Sequence, residues 1–172
     1  PWRAQKAGQA WRTRGNSVRG YAMHVGERAR ELFASGLYCA ESVLTALAEA
    51  GGKEQLIPPG LGTGFCSGMA RTAGQCGAVS GAVMALGLYG GRIDPEESVD
   101  GCYSLVQEFL KRFHEQYGSS NCREMLGLDF RIKRDLVRFK NEERVKDCMD
   151  FSAFAADLAW EIIEAAMLAD VE

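Results

Sequence analysis

The segment GQCGAVSGAVMALGLYGG, residues 74–91, is rich in glycine and alanine next to its single cysteine. Cys76 precedes a run of small and apolar residues, and Gly77 and Gly81 are spaced so that a helix presents both on one face. Glycine allows a backbone or a bulky group to approach closely. The pattern therefore predicts a central helix over 76–89 whose glycine face is covered. The cover is either another helix, from the same chain or from a homodimer partner, or a second thiol or cofactor beside Cys76.

The composition of the 172-residue chain is that of one globular domain. A chain of this length buries about 70% of its unfolded surface, so its core needs neither a disulfide nor a metal. The net charge of −3 gives no indication of nucleic-acid binding, and the lack of a long apolar run predicts no membrane span. Residues 1–22 are basic and contain no acidic residue. We interpret them as a poorly ordered extension, or alternatively as an arm that docks on a partner, and assign 23–172 to the folded domain.

Helical periodicity continues along most of the chain. Besides the central helix, the caps and apolar spacing predict helices over 17–34 from Ser17, over 40–50, from Asp94 to Tyr117, in CREML after the cap Asn121, and from Asp150 onward. The charged segment 130–147 stays ambiguous. We find no alternating strand of useful length and no internal repeat. The predicted fold class is all-α, a single-domain multi-helix bundle with a central Gly/Ala-rich helix.

The chain has six cysteines and no CxxC motif: Cys39, Cys66, Cys76, Cys102, Cys122 and Cys148. Their wide spacing argues against zinc fingers, bacterial-type ferredoxins, thioredoxin motifs and covalent c-type haem, so the tertiary fold must assemble any shared site. The basic segment 1–22 has no apolar stretch of the kind that secretory signals contain. We therefore expect a cytoplasmic, reducing compartment, where cysteines typically bind metals or catalyse reactions.

Four of the cysteines lie close to a predicted helix start: Cys39, Cys76, Cys122 and Cys148. A helix N-terminus carries partial positive charge and free N–H groups, which favour the thiolate that binds metals and attacks disulfides. We therefore expect the pKa of Cys76 to lie below the ordinary value of about 8.5, although burial acts in the opposite direction. The alternative is that the thiols are small buried hydrophobes. That is how we interpret Cys102.

Four cysteine-bearing motifs follow one another in an order that resembles the C_GCAxxG_C_C family of redox-active proteins: LYCAESVL (37–44), CGAVSGAVMALGL (76–88), NCREMLGLD (121–129) and Cys148. The resemblance covers about residues 23–168. It implies an α-helical domain, redox activity through the cysteines and frequent genomic association with transporters. Related domains in split-Soret cytochromes imply an iron–sulfur centre. Carried over by position, the family cysteines are Cys39, Cys76, Cys122 and Cys148.

The chain also departs from the family pattern. Cys66 and Cys102 are additions, and relatives tend to have glycine near position 66. Met149 stands where relatives have proline after the last cysteine. The chain contains no c-type haem motif, so covalent haem is not carried over.

The leading interpretation is a protein that holds an iron–sulfur cluster for electron transfer or redox sensing. Its ligands would be the four family cysteines, with Cys66 as a possible substitute, and Gly77 and Gly81 would border the cofactor. We expect Cys76, Cys122 and Cys148 to converge in space, with Cys39 or Cys66 as the fourth thiol. A redox partner protein would exchange electrons with the cluster, and the resemblance implies that this partner is associated with a transporter. The basic residues of 131–140 are either a solvated face or a docking site for an acidic partner.

Three alternatives stay open. The first is a dithiol–disulfide oxidoreductase with Cys76 and Cys122 as the redox thiols. The second is a structural zinc site of four cysteines, which ranks lower because a core of this size does not need zinc. The third is a non-catalytic helical domain with buried cysteines.

Overall fold

The computed structural model describes residues 24–169. This range contains α-helices and two short 3₁₀ turns, and no strand. The helices are α1 (Val25–Ala34), α2 (Cys39–Ala50), α3 (Cys66–Arg71), α4 (Gly77–Gly90), α5 (Asp100–Tyr117), α6 (Cys122–Leu126), α7 (Lys133–Asn141) and α8 (Val145–Ala169). The all-α prediction is confirmed. The basic extension 1–22 and the predicted helix start at Ser17 lie outside the described residues.

The small-residue helix α4 is the centre of the bundle. It packs against α2, α5 and α8, while α1 covers the outer side of α2 and α8. Ala78, Ala82 and Ala85 are completely buried, because neighbouring helices surround α4 on several sides. Small side chains permit this close approach, so the fold follows from the composition of this one segment. Among residues 24–169, none of the helices has the length and apolar character needed to span the bilayer.

Two helices begin elsewhere than the sequence predicts. The carboxylate of Asp94 accepts a hydrogen bond from the Glu96 amide at 2.9 Å, which makes a turn, and α5 begins only at Asp100. Asp150 is not a cap, because α8 begins earlier, at Val145. Its carboxylate instead pairs with Arg30 on α1 at 2.6 Å. In both cases a side chain that suits a cap is used for another contact.

The ambiguous segment 130–147 forms α7 and the start of α8. Leu136 and Phe139 on the inner side of α7 pack on a small apolar cluster, which consists of Cys122, Leu126, Leu128 and Phe130 and which Cys148 and Phe151 also contact. The loop before α7 is fixed by the buried carboxylate of Asp129, which accepts a hydrogen bond from Arg131 at 2.6 Å. This loop places α7 over the thiols of the cluster.

Candidate functional site

A short antiparallel bridge joins the starts of α4 and α6. The Cys76 amide donates to the Ser120 carbonyl at 2.7 Å, and the Cys122 amide donates to the Gly74 carbonyl at 2.8 Å. The side chain of Asn121 caps α6 by accepting hydrogen bonds from the amides of Arg123 and Glu124, as the sequence predicts. The bridge therefore holds two cysteine-bearing helix starts side by side.

Cys148 reaches the same place from α8. It lies in the first turn of that helix and contacts the apolar cluster that contains Cys122. Burial raises the pKa of Cys148, and the nearby thiols of Cys76 and Cys122 raise it further. Burial also raises the pKa of Cys122 to about 11. The structure thus brings Cys76, Cys122 and Cys148 into one electrostatically coupled group, which we call the thiol triad.

The expectation of a lowered pKa at Cys76 is wrong for the reduced, metal-free protein. The amides of Ala78 and Val79 do favour the thiolate, as the helix start predicts. However, Cys76 is only 5% exposed, and loss of water around the sulfur outweighs the hydrogen bonds. The pKa of Cys76 is raised to about 11 by burial, with a contribution from the charge of Cys122.

Cys39 and Cys66 form a second group beside Gly77. The pKa of Cys66 is raised, first by a side-chain hydrogen bond with Cys39 and then by burial, while the amides of Glu41 and Ala40 act against the rise. The Cys66 thiol also donates to the Gly62 carbonyl at 3.5 Å. Both cysteines are buried. We call them the thiol pair.

The contacts of Gly77 and Gly81 explain why the central helix has glycine rather than larger residues near Cys76. A β-carbon on Gly77 would collide with the Cys39 sulfur and lie 2.9 Å from the Phe65 carbonyl oxygen. One on Gly81 would lie 2.6 Å from the carbonyl oxygen of Ala40. The glycine face is therefore covered by α2 of the same chain and by a second thiol, two of the predicted covers. Contact of these glycines with a cofactor stays a prediction.

Cys102 lies apart from both groups. It approaches Gly90, at the C-terminal end of α4, whereas the other five cysteines gather near the N-terminal end. A helix of this length separates its two ends by about 20 Å. Cys102 is also partly exposed and outside the main core, so its interpretation as a core residue is wrong. This makes Cys102 a useful control for experiments on the other thiols.

The sequence did not predict α3, which is left-handed. Its residues from Ser67 to Arg71 all have positive φ, and only Gly68 is a glycine. A β-carbon on Gly68 would lie 2.7 Å from the β-carbon of Cys122 and 3.1 Å from its sulfur. The turn therefore lies directly on the thiol triad and begins at Cys66. The glycine-rich stretch GLGTGFCSGMAR was the available signal, but its spacing does not reveal the hand of the turn.

A model of the C_GCAxxG_C_C family, described as "putative redox-active protein (C_GCAxxG_C_C)", matches residues 37–162. The chain belongs to this family. The matched range contains the thiol triad, the thiol pair and Cys102. Searches of curated proteins and of solved structures gave no match.

The family cysteines are not arranged around a single ion. Within residues 24–169, no three Cys, His, Asp or Glu side chains are close enough together to hold one metal ion. The family cysteines at Cys39, Cys76, Cys122 and Cys148 instead come from four different helices that converge near the N-terminal end of α4. Their sulfurs are soft donors of the kind that iron–sulfur clusters use.

Proposed function

We propose that this protein transfers electrons or senses redox state through an iron–sulfur cluster held beside the start of α4. The thiol triad would supply three ligands, and Cys39, or Cys66 in its place, would supply the fourth. The observation that supports this most directly is the convergence of cysteines from separate helices on one buried place. When bound, such a cluster supplies a reversible change of charge at a potential that its surroundings set.

The lack of a single-ion arrangement favours a cluster over zinc. A tetrahedral zinc site needs four sulfurs that are each about 2.3 Å from one atom, which brings the sulfurs nearly into contact. A cluster has several iron atoms and spreads its ligands farther apart. The family cysteines, which are not grouped closely enough for one ion, therefore suit the larger group.

The surrounding residues provide what a redox centre requires. The amides of Ala78 and Val79 point at the Cys76 sulfur, and such N–H groups stabilise negative charge on a ligand. Apolar residues around Cys122 exclude water, which also affects the potential. Because the raised pKa values keep Cys76 and Cys122 protonated at neutral pH, binding of the cluster must release the protons of these thiols.

The test is purification without oxygen, followed by visible spectroscopy and counts of iron and zinc in the same sample. We expect broad visible absorption and iron in the wild type and in Cys102→Ser, the matched control. Both should be lost in Cys122→Ser, whose folding is checked by circular dichroism. Zinc alone, or folded wild-type protein that takes up no metal after anaerobic reconstitution with iron and sulfide, would contradict the proposal.

We further propose that the redox partner has an acidic surface and docks on the outer side of α7. The inner side of this helix packs on the cluster with Cys122, so α7 lies between the triad and solvent. Its outer side exposes Lys133 and Lys140 beside Val137, which is 50% exposed. Positive charge around an apolar centre suits a partner with an acidic rim.

Small oxidants of opposite charge test this docking surface. The reduced, cluster-loaded protein is mixed with anionic ferricyanide or with cationic cobalt(III) hexaammine over a range of salt concentrations. We expect the ferricyanide rate to fall with added salt and to fall several-fold in Lys133→Glu. Lys111→Glu on α5 is the control, since its helix lies away from this apolar cluster. An equal effect of both substitutions would contradict the assignment.

A further inference from the structure

Cys66 is not among the family cysteines, yet the structure places it beside Cys39. The Cys39 sulfur and the carbonyl oxygen of Phe65, the residue before Cys66, meet at the position that a β-carbon on Gly77 would take. Gly62, whose carbonyl accepts from the Cys66 thiol, packs on the backbone of Glu41 in the first turn of α2. The two residues belong to different elements, since Cys39 opens α2 and Cys66 opens α3. A disulfide needs closely spaced Cα atoms, and this packing brings the backbone that carries Cys66 against the start of α2, which carries Cys39.

We propose that Cys39 and Cys66 form a reversible disulfide by exchange with low-molecular-weight disulfides, and that this bond withdraws Cys39 from the thiols available to a cluster. The second half of this inference rests on the proposed function, whereas the first half holds for the metal-free protein alone. The thiol pair would then be a redox-controlled element beside the triad.

The exchange balances without any other reagent. One thiolate of the pair attacks a sulfur of the small disulfide and releases one small thiol, which leaves a mixed disulfide on the protein. The second protein thiol then attacks the protein sulfur of that mixed disulfide and releases the other small thiol. Two protein thiols are oxidised to one disulfide, the reagent is reduced to two thiols, and the two protons leave with them.

The surroundings favour this pairing over a bond to the triad. The Cys39 sulfur faces Gly77 and the Phe65 carbonyl, which is adjacent to Cys66. The Cys76 sulfur is instead held by the amides of Ala78 and Val79, with Cys122 as its charged neighbour. Cys66 already donates to Gly62, within the loop that leads into α3. Cys39 therefore has Cys66 as its immediate thiol neighbour.

Access to the pair depends on α3. Both thiols are less than 10% exposed, so a reagent reaches them only when the segment around Cys66 lifts. The following residues, Met69 and Ala70, are exposed and have positive φ, which L residues tolerate poorly. This local strain favours transient opening. We therefore expect exchange at the pair to be slower than the formation of a mixed disulfide at the partly exposed Cys102.

The experiment uses reduced, metal-free protein equilibrated with reduced and oxidised glutathione at a series of ratios without oxygen, then quenched with acid and alkylated. Trypsin leaves every cysteine in a different peptide, with Cys39 in 31–53, Cys66 in 54–71 and Cys76 in 72–92. We expect a disulfide-linked pair of the peptides 31–53 and 54–71 that disappears reversibly as the ratio becomes reducing. Cys102→Ser should leave it unchanged, and Cys66→Ser should abolish it.

Two outcomes would overturn the disulfide. If peptide 31–53 is alkylated at every ratio, Cys39 does not exchange. If peptide 31–53 is linked to peptide 72–92, the disulfide partner of Cys39 is Cys76 and not Cys66. The wild-type measurement decides this even if Cys66→Ser fails to fold.

Reconstitution with iron and sulfide separates the two proposals. We expect the disulfide form to take up several-fold less iron than the reduced form, and equal uptake would overturn the withdrawal of Cys39. If neither form takes up iron but the linked peptides appear, the cluster proposal is contradicted and the disulfide proposal is supported.

Discussion

Three glycines of α4 meet different surroundings, although they share one helix. Gly77 lies on the Cys39 sulfur and Gly81 on the Ala40 backbone, whereas Gly87 has nothing within 4 Å of the position of a β-carbon. The first two are therefore required by packing, and the third only weakens the helix. The sequence predicted this for Gly77 and Gly81 from their spacing, but it could not distinguish a cover by α2 from a cover by a dimer partner. That choice depends on how the connection 51–76 folds and places α2 alongside α4.

Substitution of two glycines by alanine should change stability in opposite directions. We expect Gly81→Ala to lower the free energy of unfolding by about 1–3 kcal/mol, because the new β-carbon would meet a backbone oxygen of α2 that cannot move alone. Gly87→Ala should raise it by up to about 1 kcal/mol, since alanine is the better helix former. Urea unfolding of the reduced proteins measures both values. A neutral Gly81→Ala would place the glycine face in open space.

The burial of the Cys76 thiol shows a limit of inference from helix starts. The sequence correctly places Cys76 before a helix, and the helix amides do favour its thiolate. The degree of burial is decided by α6 and α8, which come from distant parts of the chain. A local electrostatic effect can therefore be predicted from the sequence, whereas the desolvation that opposes it cannot.

At the scale of elements, α3 is the part of the fold that the sequence conceals most. A left-handed turn costs L residues roughly 1–2 kcal/mol each, and four of the five residues from Ser67 to Arg71 are not glycine. Neighbouring contacts hold the turn, since Gly68 lies on Cys122 and its carbonyl accepts from Gly74 at 3.1 Å. Helix propensities and the roughly 3.6-residue periodicity of apolar residues describe right-handed helices, so neither predicts the left-handed turn α3.

The hand of α3 can be tested with two exposed alanines. Ala70 has a φ of 53°, so we expect Ala70→Gly to raise the free energy of unfolding by about 1 kcal/mol by removing local strain. Ala165 lies exposed in the right-handed helix α8, where the same substitution should lower stability by about 1 kcal/mol. Thermal and urea unfolding of both variants give the signs. Destabilisation in both would mean that Ala70 is not in a left-handed conformation.

At the scale of the whole molecule, the bundle follows from patterns that are local in sequence. Apolar spacing and glycine-bounded segments are enough to predict an all-α domain around α4. The grouping of the thiols is different, because α6 and α8 bring Cys122 and Cys148 to Cys76 from distant parts of the chain. The chain order of the family cysteines indicated which residues belong together. The proximity of Cys66 to Cys39 had no such signal, because it depends on how α3 turns.

The thiol triad should make the metal-free protein sensitive to alkali. The pKa of Cys122 is raised by burial to about 11 in the folded state, so the unfolded chain loses this proton first as pH rises. The resulting stability is fully present below pH 9 and is lost as pH rises through about 11, a change of about 3 kcal/mol. We expect the free energy of unfolding in urea to fall between pH 8 and 11 by less in Cys122→Ala than in the wild type.

Lysines and tyrosines also titrate in this range, and Cys102→Ala, which retains the triad, controls for them. If Cys122→Ala and Cys102→Ala lose stability equally, the Cys122 thiol is not buried as the structure has it. Because cluster binding would deprotonate the triad in advance, the loaded protein should lack this part of the alkaline loss.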